Sequence, residues 1–364
     1  MIGLGTFGAI AGGLFGVAKV IASADRRRSR PGHADLASGP AGTGEPASGT
    51  AGTGGAGTGS PGKGAPAADT AGALGGLLSA RPVHRELIHH RVRTSDGAEL
   101  HVVETAGSAS RPIVLLHGVT LTSDIWHNQM GDLGGRFRVL ALDWRGHGRS
   151  TVGGDGYGLE VLARDLRAVL EHFDLRDAVL VGHSMGGMAL MRFCADRQSL
   201  YRHAGRLVFL STAARDVGEV GLGRANRLLS GIVRRRPSVA EHLPMSAPGD
   251  LGYAITRLGF GSKPSADWVE EAREMVGAMS PSAAGRSFLP LLAHDERATL
   301  RALDLPVLVM VGTRDLLTPE QQGREIADLV PGAKLVVFEG AGHLLMLERR
   351  ERLASELARF AGGT

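Results

Sequence analysis

One cysteine in 364 residues, Cys194, forbids any intrachain disulfide and leaves no cysteine-based metal site. It falls in a helical run, Met185–Arg197, where a lone thiol reads as a small buried side chain. Aromatic residues are also scarce, with 3 Trp, 3 Tyr and 10 Phe, and residues 31–80 contain no Val, Ile or aromatic residue at all. A stretch with so little to bury cannot offset the entropy of ordering it. An excess of one charge is missing too, since 41 Lys and Arg face 37 Asp and Glu. Residues 81–364 carry 35 basic and 33 acidic side chains, too even a balance for a nucleic-acid partner.

Glycine, by contrast, is abundant at 54 residues, but it has no three-residue period and only 16 Pro accompany it, which excludes collagen. Twenty-one of those glycines lie in residues 1–80, where Ala-Gly-Thr-Gly recurs at 41–44, 51–54 and 56–59. Residues 26–80 are therefore expected to be a disordered linker, with a reach on the order of 40 Å. The length alone suggests two domains; the composition reduces this to one large domain, residues 81–364.

Ahead of the linker, Ile2–Ala24 is apolar or small apart from Lys19, and as a helix it would reach ~35 Å, enough for a bilayer core of ~30 Å. Gly8, Gly12 and Gly16 repeat at the four-residue spacing that lets membrane helices approach closely. Arg26, Arg27, Arg28 and Arg30 follow at once, so segment 1–25 as a membrane anchor places the folded part in the cytoplasm. Ala22-Ser23-Ala24 also suits a signal-peptidase site, which would make the protein secreted, although no basic residue precedes the apolar run. An interfacial or unstructured apolar tail is the third reading, favoured by Lys19 and the glycines.

Val83–Thr94 and Leu100–Ala106 flank Asp96-Gly97, a hairpin signal. Pro112–Leu116, Arg138–Leu142, Asp177–Val181, Arg206–Leu210, Pro306–Val311 and Lys334–Phe338 are short Val/Leu/Ile runs, the pattern of strands buried on both faces. Helical patterns at Ile125–Leu133, Leu159–His172, Met185–Arg197, Pro319–Val330 and Leu344–Phe360 separate most of them. The alternation predicts an α/β fold with a mostly parallel, doubly wound sheet of eight strands and helices on both faces. Between Ser211 and Leu305 no strand is evident, and helix-like stretches such as Asp267–Met279 and Phe288–Ala302 predict a helical cap at about 213–303, inserted after the sixth strand. Arg234-Arg235-Arg236 within it reads as a solvated helix end before Pro237, with anion attraction as the alternative.

In a chain holding 54 Gly and 23 Ser, chance alone supplies about 0.5 matches to Gly-x-Ser-x-Gly, so Gly182-His183-Ser184-Met185-Gly186 needs its context. That context is a buried run ending at Val181 and a helical pattern opening at Met185, the strand-turn-helix that exposes a nucleophilic serine. A serine hydroxyl needs a base, and the base an orienting acid. Asp315 follows the run Val307–Val311 and His343 follows Leu335–Phe338, giving the chain order Ser, Asp, His on loops after successive strands. Asp216 is the fallback acid. An oxyanion needs two N–H donors, and Val119, after His117-Gly118, and Met185 are placed to supply them. His117 reads as a structural imidazole, and Gly118 as a residue that lets the backbone come close.

Leu115-Leu116-His117-Gly118, Asp143-Trp144-Arg145-Gly146-His147-Gly148-Arg149-Ser150, Gly182-His183-Ser184-Met185-Gly186-Gly187, Gly312-Thr313-Arg314-Asp315 and Gly342-His343, in this order, resemble the α/β-hydrolase fold family from about Leu87 to Phe360. Phe288-Leu289-Pro290-Leu291-Leu292-Ala293-His294-Asp295 and the apolar amino terminus further resemble actinobacterial esterase or lipase-like members. The resemblance implies Ser184 as nucleophile, His343 as base, Asp315 as acid, and Val119 and Met185 as oxyanion donors. It also implies no metal or organic cofactor. The family's dehalogenases and epoxide hydrolases carry Asp at the elbow, which Ser184 argues against.

The expected activity is hydrolysis of small apolar carboxylic esters through an acyl-enzyme. Thioesterase, C–C hydrolase and perhydrolase activities share the same triad, and a non-catalytic, membrane-tethered ligand-binding protein is the alternative from another class. Leu258, Phe260, Trp268, Met275, Met279 and Phe288 of the cap, with Trp126 and Trp144 near loops, are candidate pocket residues, although each taken singly reads first as core.

Overall fold

Asp96-Gly97 closes the first hairpin, with Gly97 at φ 88° and its N–H donating to Thr94 O at 3.1 Å. The hairpin strands, β1 (Leu87–Arg93) and β2 (Glu99–Thr105), pair antiparallel, and β2 runs antiparallel to β4 (Val139–Leu142). From there the sheet is parallel, in the order β4, β3 (Ile113–Leu116), β5 (Ala178–His183), β6 (Ala204–Leu210), β7 (Val307–Gly312), β8 (Lys334–Phe338). The expected eight-stranded, mostly parallel sheet is thus present in this computed structural model, which describes residues 86–106, 111–217, 230–236, 238–239 and 249–363. The readings of 1–25 and 26–80 concern residues outside that range. Among the described residues no helix is long and apolar enough to cross a membrane.

Strand alternation divides the core into two layers. Val114, Leu116, Leu180, Leu207 and Phe209 point to one face, where α2 (Leu159–His172) and α3 (Met185–Cys194) supply Leu162, Leu166, Val169 and Met188. Ile113, Leu115, Val179, Val181 and Val208 point to the other, covered by α1 (His127–Leu133) with Met130 and Leu133, and by the carboxy-terminal helix with Leu353, Leu357 and Phe360. Both faces are apolar because both are covered, which is why these strands read as unbroken hydrophobic runs.

Three helices differ from the sequence expectation. The run expected to extend to Arg197 ends at Cys194, because the Asp196 side chain accepts the N–H of Ser199 and caps a separate helix, α4 (Arg197–His203). In Phe288–Ala302, Pro290 sits in a 3₁₀ turn, Leu289–Leu292, and an isolated bridge between Arg215 and Asp295 breaks the chain before the short helix Arg297–Arg301. The last segment is split at Arg349, which has φ −138° and ψ 39°, outside the helical region, between Leu345–Glu348 and Arg350–Gly362.

Among the described residues, the cap between β6 and β7 holds a helical stretch at 230–235 and the helices α5 (Gly249–Arg257), α6 (Ala266–Ala278) and α7 (Pro281–Phe288). Ser265 and Ser280 start the latter two by accepting N–H bonds from Asp267 and Ala283, and Pro281 sits in the first turn, where its missing N–H is no loss. Arg234 pairs with Asp216, so the basic triplet carries at least one internal ion pair.

Candidate active site

The parallel register levels the strand ends. Leu116 of β3 lies beside Gly182 of β5, Gly182 beside Phe209 of β6, and Gly312 of β7 beside Phe338 of β8. The loops carrying Val119, Ser184, Asp315 and His343 therefore all leave the same edge of the sheet, the carboxyl edge where ligands bind in open α/β sheets.

Ser184 stands at the turn from β5 into α3 with φ 53° and ψ −120°, a left-handed conformation that costs a non-glycine residue of order 1–3 kcal/mol. Thr120 (φ 62°) after β3 and Ser211 (φ 43°) after β6 share this strain along the same edge. Ser184 keeps 8% of its surface exposed among neighbours that are more deeply buried. The turn is held open by the absence of side chains. A Cβ on Gly186 would lie 2.5 Å from Leu116 O, and one on Gly118 would lie 2.9 Å from His183 Nδ1 and 3.0 Å from Ser184 Cβ. Gly186→Ala is accordingly expected to displace the elbow from β3, lowering Tm by several degrees and slowing any chemistry at Ser184; equal melting temperatures would contradict the packing argument.

Met185 is the first residue of α3, so its N–H has no partner inside the helix. Among the described residues neither Met185 nor Val119 donates its N–H to a protein acceptor. Two free amides flanking a strained serine can stabilise a developing oxyanion.

Across the site, His343 Nδ1 meets Asp315 Oδ2 at 2.8 Å, with both residues buried. A carboxylate oxygen accepts, so this contact selects the tautomer with its proton on Nδ1, which in a neutral imidazole leaves Nε2 as the acceptor. Asp315 is fixed in turn by the N–H groups of Leu317 at 2.9 Å and Thr318 at 2.8 Å, and by the Thr318 hydroxyl at 2.8 Å. His183, next to Ser184, donates from Nε2 to His343 O at 3.0 Å, and the two rings lie 4.7 Å apart. This ties the serine turn to the histidine loop. Such an arrangement of hydroxyl, imidazole, carboxylate and paired amides suits acyl transfer. Asp216, the fallback acid, is engaged with Arg234 instead.

His117 accepts the Trp144 N–H at Nε2 (3.0 Å) and lies 2.7 Å from Gly118 O through Nδ1, while the Trp144 indole donates to His117 O at 2.9 Å. Both nitrogens are thereby committed, and burial holds the imidazole below its ordinary pKa. The Asp143–Ser150 motif is likewise scaffolding. Burial opposes ionisation of Asp143, yet hydrogen bonds from His101 and from the Arg149 and Ser123 amides hold its carboxyl well below the usual range. Arg145 joins Asp96 of the hairpin turn to Asp165 of α2.

The candidate pocket residues divide. Trp126, Trp144 and Phe260 are core, Leu258 is exposed, and Phe288, like Val119, is partly buried against the core layer that contains Met185 and Leu291. Sequence reasoning missed Thr318, His183 and Glu348. Only Thr318, three residues past Asp315, offers a local signal, the spacing of a side-chain turn.

The profile of the alpha/beta hydrolase fold matches residues 111–350. The chain is 31% identical to a non-heme haloperoxidase of Rhodococcus erythropolis, covering 74% of this chain and 98% of that protein. It is 28% identical to a bifunctional esterase/perhydrolase of Acinetobacter calcoaceticus, again over 74% and 98%. A hydrolase structure from Pseudomonas aeruginosa superposes with a TM-score of 0.64 at 26% identity, covering 75% and 98% of the two chains. The chain belongs to the α/β-hydrolase fold family.

Proposed function

We propose that the protein is a serine hydrolase that cleaves carboxylic esters with an apolar acyl or alcohol part. The observation that carries this reading is the strained Ser184 turn, tied through His183 to the loop on which His343 is held by Asp315. Ser184 Oγ attacks the ester carbonyl as His343 Nε2 takes its proton, and the N–H groups of Val119 and Met185 receive the oxyanion. The protonated imidazole then releases the alcohol. His343 next draws a proton from water, which attacks the acyl-enzyme and frees the acid and Ser184. Val119 and Phe288, partly buried against the core layer that holds Met185 and Leu291, would seat the apolar group.

A second reading, perhydrolysis, is favoured by the relatives whose names include haloperoxidase and esterase/perhydrolase. Hydrogen peroxide would replace water in attack on the same acyl-enzyme and release a peracid. A fluorophosphonate probe tests the shared core: labelling is expected in the native protein and absent in Ser184→Ala. Unlabelled native protein with normal folding would overturn it. Peracid formation from a short-chain ester and peroxide separates the two readings.

A further inference from the structure

Glu348 lies five residues past His343, at the end of the helix Leu345–Glu348, and is buried. Its two carboxylate oxygens serve different parts of the molecule. Oε1 accepts the N–H of Gly342, the residue preceding His343, at 2.9 Å. Oε2 accepts the N–H of Gly261, in the cap between α5 and α6, at 2.8 Å. The two segments run directly against each other: His343 N–H donates to Gly259 O at 2.8 Å and Ser262 N–H donates to Gly340 O at 3.1 Å. A Cβ on Gly342 would lie 2.4 Å from the Phe260 carbonyl carbon, so the contact is backbone on backbone. Arg257 closes the cap side by donating to Phe260 O at 3.3 Å and Gly261 O at 3.0 Å.

The division of labour around His343 explains what such a clamp contributes. Asp315 fixes the rotation and tautomer of the imidazole. Rotation does not fix where the ring stands, because that depends on the main chain at 342–343. The loop arrives there from β8 through Gly340, at φ 71°, and Gly342, residues with little conformational preference of their own. A charged acceptor on the Gly342 amide, anchored to a helix, supplies the missing restraint, and charge-assisted hydrogen bonds are the strong ones.

We propose that Glu348 is a positioning residue whose carboxylate latches cap segment 259–262 to the His343 loop, so that seating the cap and placing the base are one event. This rests on the reading of His343 as general base. Glu348 touches no substrate in this scheme; it acts through Gly342.

The test uses the full-length protein carrying Glu348→Gln, with Glu348→Asp beside it. The carboxamide is nearly isosteric but has one acceptor oxygen, and its NH₂ must face one of the two amides. With active sites counted by exhaustive fluorophosphonate labelling, kcat per labelled site on a small ester is expected to fall on the order of 10- to 100-fold, the range typical of groups that orient a catalytic ligand. KM should change less than about 3-fold, because the loss is in placing the base and not in binding. Glu348→Asp, which keeps the charge, should recover part of the rate. Amide hydrogen exchange at Gly342 and Gly261 should quicken together in Glu348→Gln. A titrated kcat within 2-fold of native, or exchange unchanged at either glycine, overturns the latch. Should Ser184→Ala still label, the hydrolase reading fails, and the paired exchange measurement still decides the latch by itself.

Discussion

Asp315→Asn is expected to lower kcat by roughly 10⁴-fold while leaving the fold intact, the loss that follows when a carboxamide reverses the imidazole tautomer in a serine triad. Asp315 Oδ2 stands 2.8 Å from both His343 Nδ1 and the Thr318 hydroxyl, and Oδ1 takes the Leu317 and Thr318 amides. The two amides require an oxygen at Oδ1, which forces the new NH₂ of asparagine onto the Oδ2 position. There it faces Nδ1 as a donor. Nδ1 must then accept, the proton moves to Nε2, and the ring presents Ser184 with a donor where a base is needed. Asp216→Ala, which removes the partner of Arg234 and touches neither Asp315 nor His343, should keep more than half of native kcat. The check is kcat with active-site titration for both variants. The reverse pattern would move the acid role to Asp216.

The sheet and the residues at its carboxyl edge were legible because each rests on a local pattern. Runs such as Ala178-Val179-Leu180-Val181 are apolar throughout because both faces are covered, and Gly182, Ser184 and Gly186 mark the turn that follows. The breaks inside helices were less visible. Asp196 caps a helix that hydrophobic periodicity runs straight through, and the break at Arg349, whose side chain donates to Glu339 O at 3.0 Å, leaves no mark in that periodicity. Least legible were the residues that hold the site from a distance. Glu348 reads as an ordinary acid on an amphipathic helix, since both amides it serves come from other segments, one of them 87 residues earlier. Trp126 and Trp144, near loops in sequence, fit either the pocket or the core, with the core the stronger reading; both are fully buried, and Trp144 hydrogen-bonds to His117.

Acidification from pH 7 to pH 5 should cost the folded state about 2 kcal/mol or more through its buried histidines, before the depressed aspartates are titrated. Three imidazoles are buried around the elbow in the neutral form. Burial, with the neighbouring His117, pushes His147 down to about 3. Burial, with His343, holds His183 well below its ordinary value, and burial lowers His117. In the unfolded chain each takes up a proton near pH 6.5. Between the folded and unfolded values the unfolded state binds more protons, so stability falls as pH falls through that window. With its folded value near 3, His147 contributes about 2 kcal/mol of that loss at pH 5, and the lowered His183 and His117 add to it in the same direction. The aspartates act later: buried Asp143 and half-buried Asp96 have depressed folded values, so their contribution holds until pH drops below about 4. Against a total stability of about 5–15 kcal/mol, the histidine part alone is large. Denaturant midpoints at pH 7, 6 and 5 measure it, and a midpoint that is flat from pH 7 to pH 5 contradicts the argument. The structural loss returns only at the rate of refolding, so a jump from pH 5 back to pH 7, followed by tryptophan fluorescence, should show a slow recovery of the folded signal.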